Sequence, residues 1–306
     1  MKIGIIGDGI HSKRIQRILK KKRLNFIIYK PKKPKYFNRF EFDKIKNCKI
    51  IFILSPNKTH LNYLKLLHTN RYIFCEKPPV VRKKELKILK KINSKKIYFN
   101  FNKRFSNFSL ILQKKEKFKL GKLIYGSLIT SHGLAQKNDY LKNWRSKKLS
   151  NRKGVFETVL IHDIDLINYI FGIKRIKQIN LNNTSNRGDS IDTASIQLIL
   201  KNNSIINIFS TYNSSYNESA HLLFENGLII KNYKSLNVCG PTKTFNKKGM
   251  FIKPPNLLQK EISPKKDYEE SLEKSVNYFL KHVKKNLSFK KKEFNCSIKS
   301  NEIMLG

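Results

Sequence analysis

Two rhythms of apolar residues run through the 306-residue chain. They predict an α/β parallel sheet followed by an α+β domain with a large, mainly antiparallel open sheet. Up to about residue 118, short apolar runs alternate with segments at helical spacing, the βαβ rhythm of strands buried under helices. Beyond about residue 121 the stretches lengthen and alternate with period two, as strands with one covered face do. The expected division is therefore 1–118 and 119–306.

In the first part, strands are predicted at 2–6, 25–29, 50–54, 73–75 and 97–100. Ile15, Ile18 and Leu19 place a helix between the first two, and further helices are expected at 59–67 and at 83–92, the latter with Leu86 and Leu89 on one face. In the second part, strands are expected at 122–131, 176–182, 191–200, 204–212 and 220–224, with Lys201-Asn202-Asn203 as a hairpin turn. A helix at 157–171 closed by Gly172 interrupts them, a late helix follows at 267–285, and 296–306 begins a last one. A sheet with helices on one side leaves a face for a second subunit, so a homo-oligomer is expected through the open sheet.

Composition sets outer limits. At 40% hydrophobic and 11% aromatic the chain can bury a core without disulfides. No apolar run approaches the roughly 18 residues of a membrane helix. The first residues enter a strand and a glycine turn at once, so no signal peptide is read there and a cytoplasmic protein is expected. Cys48, Cys75, Cys239 and Cys296 stand far apart without a CxxC pair or a histidine at ligand spacing, so neither a disulfide framework nor a metal site is indicated.

The net charge of +43, from 64 Lys and Arg against 21 Asp and Glu, would ordinarily suggest nucleic acid or an acidic membrane as partner. Lysine supplies most of that charge, alanine occurs only at Ala135, Ala194 and Ala220, and Ile, Asn, Phe and Tyr abound, the profile of AT-rich coding DNA. The basic residues also spread along the whole chain, as solvated faces do. Neither a nucleic-acid nor a membrane partner is therefore expected, although the field should steer anionic ligands toward a cleft.

The motifs carry more. The first strand runs into Gly7-Asp8-Gly9-Ile10-His11-Ser12, a GxGxxG turn with Ser in the third position. Gly7 permits the tight turn, Gly9 lets backbone approach a pyrophosphate, and the following helix offers oriented N–H groups, which together predict a Rossmann-type dinucleotide site. Ser12 is small enough to keep the helix close. At the end of the second strand, where a carboxylate would bind the ribose 2′-hydroxyl of NAD, stands Lys30, with Lys32 and Lys33 beyond it. That favours NADP over NAD, with both remaining open.

After the third strand comes Ser55-Pro56-Asn57-Lys58-Thr59-His60, and after the fourth Glu76-Lys77-Pro78; Asn100-Phe101-Asn102-Lys103-Arg104-Phe105, Asn143-Trp144-Arg145, Gly154-Val155-Phe156 and His162-Asp163-Ile164-Asp165 follow in order. In this ordered set the chain resembles the Gfo/Idh/MocA oxidoreductase family over nearly its whole length. The resemblance implies an NAD(P)-dependent dehydrogenase or reductase of a sugar or nucleotide-sugar hydroxyl or ketone, working between a dinucleotide domain and a substrate and oligomerisation domain. By it Lys77 maps to the catalytic lysine, His162 to the acid/base histidine, and the Lys77–Pro78 bond to one often cis. Gly7, Gly9, Ile10, His11, Ser12, Lys30, Ser55, Pro56, Asn57, His60 and Glu76 would hold the cofactor; Arg104, Trp144, Arg145 and Asp165 would face the substrate. Chemically the pairing is sound, because hydride transfer from a carbinol requires loss of the hydroxyl proton, which an imidazole can take and a lysine can relay or offset.

The chain also departs from the family pattern. Where many relatives carry Asp four residues before the histidine, this sequence has Thr158, and the adjacent Glu157 would point about 100° away in a regular helix. Asp165 can equally serve to support its helix, and His132 is a weak candidate for a ligand contact. The departures at Ser12, Lys30 and Thr158 keep a second hypothesis open, a catalytically silent nucleotide-binding or regulatory relative; a nucleic-acid binder driven by charge is the third.

Overall fold

A computed structural model describes residues 2–30, 43, 45–92, 95–149 and 152–306. Lys32 and Lys33 therefore lie outside the described residues. The chain folds into two units, Met1–Asn102 with Glu270–Gly306, and Lys103–Glu269.

The first unit holds a five-stranded sheet, β1 (Ile3–Ile6), β2 (Phe26–Tyr29), β3 (Ile50–Ile53), β4 (Tyr72–Glu76) and β5 (Ile97–Asn100), in the order β2-β1-β3-β4-β5. Every pairing is parallel. The run Ile50-Ile51-Phe52-Ile53 is buried at every position, as a parallel strand covered on both faces must be, whereas β2 at the edge is only partly covered. Helix α1 (Ile10–Lys21) buries Ser12, Ile15, Gln16 and Leu19, one stripe at positions i, i+3, i+4 and i+7. Helices α2 (His60–Leu67) and α3 (Lys83–Leu89) follow β3 and β4. The chain's last 37 residues, 270–306, return to this unit. There Phe279 packs its ring 5.3 Å from Phe52 and 5.4 Å from Phe74. Asn301 brackets Val80, accepting from its N–H at 2.9 Å and donating to its carbonyl at 3.0 Å.

The second unit opens with helix α4 (Asn107–Gln113) and is built on an eight-stranded sheet. Its strands are β6 (Leu123–Ser131), β7 (Ile173–Asn182), β8 (Thr193–Leu200), β9 (Ile205–Thr211), β10 (Asn217–Phe224), β11 (Gly227–Lys231), β12 (Ser235–Cys239) and β13 (Asn256–Glu261). Their order is β13-β12-β11-β10-β6-β9-β8-β7, antiparallel throughout except for the β6–β9 pair. Strand β8 alternates buried and half-buried residues along its length, the signature of one covered face. The turn at 201–203 joins β8 to β9, with Asn203 at φ 67.

The expected α-helix at 157–171 is corrected in its first turn. Phe156–Leu160 is a π-helical turn, in which the Ile161 N–H reaches back to the Phe156 carbonyl, and the α-helix proper, α5, spans Ile161–Phe171. Two long helices close the chain, α6 (Pro264–Lys284), which straddles the boundary between the units, and α7 (Lys291–Leu305).

Candidate functional site

In the first unit the parallel sheet reverses its strand order at β1, whose neighbours are β2 and β3, and ligands of such sheets bind beyond the carboxyl ends of the strands at that point. Gly7 stands there with φ +103, and a Cβ on it would lie 2.7 Å from the Leu54 carbonyl oxygen. Only glycine lets β1 turn this close to the end of β3. The Gly7 N–H also donates to the Tyr29 carbonyl at 3.0 Å, tying the turn to β2. Over Gly9 a Cβ would meet nothing within 4 Å, no side chain caps α1, and no acidic residue lies in its first turn. Open space before uncapped N–H groups fits a pyrophosphate. Ile10 is 78% exposed beside it.

Ser12 does more than fit. Its hydroxyl donates to the Gly7 carbonyl at 2.8 Å and accepts from Gln16 Nε2 at 3.0 Å; Gln16 Nε2 also donates to Asp8 Oδ1 at 2.9 Å. Asp8 Oδ2 in turn lies 2.6 Å from Lys30 Nζ. The hydrogen bonds from Lys30 and Gln16 hold the Asp8 carboxyl below its ordinary pKa.

Deeper in the same unit, Glu76 Oε1 meets His11 Nε2 at 2.7 Å and accepts from Asn100 Nδ2 at 2.6 Å. Burial pushes the Glu76 carboxyl up, but His11, Asn100 and Lys77 outweigh it and the net shift is downward, so it is a carboxylate at neutral pH. Ser55 bonds the Thr59 hydroxyl at 2.7 Å, and Asn57 opens the short 3₁₀ turn Asn57–Thr59 behind the exposed Pro56. His60 is fully buried, with Nδ1 2.8 Å from the Pro78 carbonyl and Nε2 2.9 Å from the Ser55 carbonyl. It pins the loop after β3 to the loop after β4, and burial drives its pKa down. The Lys77–Pro78 bond is cis, as the resemblance implies, and Lys77 is half-buried.

In the second unit several candidate side chains lie around the start of α5. Gly154 has φ +52, and a Cβ on it would run into the Ile191 backbone, so the chain enters this helix through a position open only to glycine. Thr158, in the position of the family's aspartate, donates to the Gly154 carbonyl at 2.8 Å and shares a short hydrogen bond with the Tyr212 hydroxyl. Arg145 also hydrogen-bonds that hydroxyl. Burial raises the Tyr212 pKa in spite of both partners, with the Glu157 charge adding to the rise. His132 lays its ring 4.7 Å from that of Tyr212, and burial together with the Arg145 charge lowers its pKa, so it is neutral at pH 7. The Arg145 guanidinium stacks 4.5 Å from the centre of the Trp144 ring, which is 42% exposed. His162 follows the π turn as the second residue of α5 and is half-buried.

The other two residues expected to face substrate, Arg104 and Asp165, hold each other. Arg104 Nε and Nη2 donate to the two carboxylate oxygens of Asp165 at 2.7 Å each, with Asp165 fully buried. Alongside, Lys103 Nζ meets Asp163 at 2.7 Å and Glu218 at 3.4 Å, and Lys231 meets Glu218 at 2.7 Å. Sequence reading missed Tyr212, Asp8 and Gln16 as site residues. Asp8 could have been found from its place inside the glycine turn; Tyr212 carries no local signal, since it stands at the end of β9, 54 residues from Thr158.

A parallel sheet with a glycine turn at its reversal point and a large, mainly antiparallel sheet define a Rossmann-like α/β unit and an α+β second unit. Residues 116–230, within the second unit, match the model of the GFO/IDH/MocA C-terminal domain, a domain of the family that the ordered motifs resemble. Among solved structures, a levoglucosan dehydrogenase in complex with NADH aligns at TM-score 0.78 and 15% identity over 99% of this chain and 95% of that one. A myo-inositol dehydrogenase from Corynebacterium glutamicum aligns at 0.70 and 17% identity, covering 99% and 94%. An oxidoreductase from Agrobacterium radiobacter in complex with NAD+, L-tartaric acid and magnesium aligns at 0.75 and 15% identity, covering 99% and 94%. No curated protein matches the sequence. Among the described residues no helix is long and apolar enough to cross a membrane.

Proposed function

We propose that the protein is an NAD(P)-dependent oxidoreductase that transfers a hydride between nicotinamide and a sugar or nucleotide-sugar hydroxyl or ketone in the cytoplasm. The observation that carries this reading is the glycine turn, with open space over Gly9 and an uncapped α1 at the point where the parallel sheet reverses. The solved structures of like fold, two of them named as levoglucosan and myo-inositol dehydrogenases, support the substrate class.

When bound, the nicotinamide supplies the hydride chemistry. Gly7, Gly9, Ile10, His11 and Ser12 shape its phosphate end, with Ser55, Pro56, Asn57, His60 and Glu76 along the neighbouring loops. His162 takes or returns the hydroxyl proton of the substrate, and Lys77 relays it or offsets the developing alkoxide charge. Trp144 and Arg145 contact the substrate, while Arg104 and Asp165, locked in a bidentate pair, support α5. Glu76 keeps a negative charge next to Lys77. The lysine at position 30 is the ground on which the sequence favours NADP over NAD.

The test is a titration with NADH and NADPH followed by turnover on a panel of sugars and sugar nucleotides. Lys77→Ala should lower kcat by on the order of 10²- to 10⁴-fold while nucleotide binding persists. Full activity in that variant removes Lys77 from the mechanism, and nucleotide binding with no turnover on any panel member favours the silent relative.

The partner is a second copy of this chain through the open sheet. Across β8, β9, β6 and β10 the outward rows, such as Ser195–Phe209–Ile129–Ser219 and Ile199–Ile205–Tyr125–Leu223, contain no charged residue in a chain of net charge +43. A face without like charges is the one on which two such copies can meet without repulsion. Ile129→Lys should lower the mass seen in sedimentation; an unchanged mass excludes this face.

A further inference from the structure

The relay through the glycine turn ends on a charge pair that the motif does not contain. Lys30 is the first residue after β2, where a carboxylate ordinarily receives the ribose 2′-hydroxyl of NAD. Its Nζ lies 2.6 Å from Asp8 Oδ2, so a carboxylate has reached that place from the turn itself. The carboxylate is held from both sides. Oδ2 meets Lys30, and Oδ1 accepts from Gln16 Nε2, which is anchored in α1 by Ser12, itself bonded to the Gly7 carbonyl. The Asp8 side chain is only 19% exposed, while that of Lys30 is 65% exposed, so the carboxylate is the fixed member of the pair and the ammonium the adjustable one.

We propose that Asp8, positioned by Gln16, is the residue that sets the ribose preference of the cofactor site, by neutralising Lys30 and offering its own carboxylate to the 2′-hydroxyl of NAD(H). The inference rests on the dinucleotide reading above and refines it. A 2′-hydroxyl can donate to Asp8 and accept from Lys30 without disturbing the pair. A 2′-phosphate carries negative charge to the same spot, where Lys30 attracts it and Asp8 repels it, so the lysine alone does not make an NADP site. The protein therefore binds NADH at least as well as NADPH, although the residue after β2 is basic.

The experiment is a fluorescence titration of the full chain with NADH and NADPH, in the wild type and in two variants, at about 0.15 M salt so that long-range charge is screened. Asp8→Asn keeps the shape and the Gln16 contact but removes the repulsion, and should shift the ratio of dissociation constants toward NADPH by about tenfold or more. Lys30→Ala should shift it toward NADH, chiefly by weakening NADPH. Melting curves confirm that the variants are folded, and if Asp8→Asn does not fold, Lys30→Ala alone decides, an unchanged ratio overturning the proposal. A wild type that prefers NADPH strongly, or an Asp8→Asn variant that loses both nucleotides equally, overturns it while leaving the dinucleotide reading intact. Binding of neither nucleotide by the folded wild type removes that reading and the inference with it.

Discussion

The turn between β1 and α1 and the entry to α5 are both led by a glycine that no other residue can replace, yet they are held in place in opposite ways. In the turn, the bonds to the helix are local: Ser12 bonds Gly7 five residues back, and Gln16 bonds Ser12 and Asp8 four and eight residues back, while Tyr29, Lys30 and Glu76 join it from the ends of β2 and β4. At the entry to α5, Thr158 bonds Gly154 four residues back, but the remaining partners are distant. Tyr212 lies 54 residues from Thr158, Arg104 lies 61 from Asp165, and Lys103 lies 60 from Asp163. A site of the first kind is largely specified by a short motif; one of the second kind exists only once a sheet has assembled around it.

That contrast can be broken by mutation. The largest effect should come from Arg104→Ala, which leaves Asp165 buried without its guanidinium and should destabilise the fold by roughly 3–5 kcal/mol in urea unfolding. A loss below about 1 kcal/mol would mean that α5 does not depend on this long-range pair.

Next in size is the acid response of Glu218. Burial alone would raise its pKa, but Lys103 and Lys231 outweigh burial and hold it at about 2, against an ordinary 4.5. Because the folded value is the lower one, the stabilisation is complete above the ordinary glutamate range and is lost as pH falls through about 2. It amounts to on the order of 3 kcal/mol at neutral pH. Urea midpoints measured from pH 7 down to pH 3 should fall less steeply in Glu218→Gln than in the wild type; parallel curves would assign the acid sensitivity to other carboxylates.

The smallest effect should be Ser12→Ala in the turn, about 1–2 kcal/mol for the two lost hydrogen bonds. Hydrogen exchange should show the change confined to the residues around the turn, and a change reaching α5 would contradict the local character argued for it.

How far these regions could be read in the sequence follows from the same difference. The strands of the parallel sheet fall within a residue of their expected ends because continuous Ile and Phe runs such as Ile50-Ile51-Phe52-Ile53 announce strands buried on both faces. Strand β13 escaped notice because nearly every residue of Asn256–Glu261 is exposed, so it carries no alternation, and β11 and β12 are five residues each. The π turn was invisible for a different reason. Phe156-Glu157-Thr158-Val159-Leu160 has ordinary helical apolar content, and the contacts that accompany the wide turn, Val155 N–H on the Ile191 carbonyl and Thr158 on Tyr212, are with residues far along the chain.

By itself the sequence determined the two sheet types, the glycine turn, and the ordered set of motifs that includes Lys77 and His162, because hydrophobic period and the backbone freedom of glycine act over a few residues. Only the tertiary structure decided that Arg104 and Asp165 hold each other, that Tyr212 joins Thr158, that Asp8 reaches Lys30, and that residues 270–306 cluster with the first 102. Each of those outcomes depends on which charges and hydroxyls find partners when water is removed, and burial brings together groups that the linear order keeps apart.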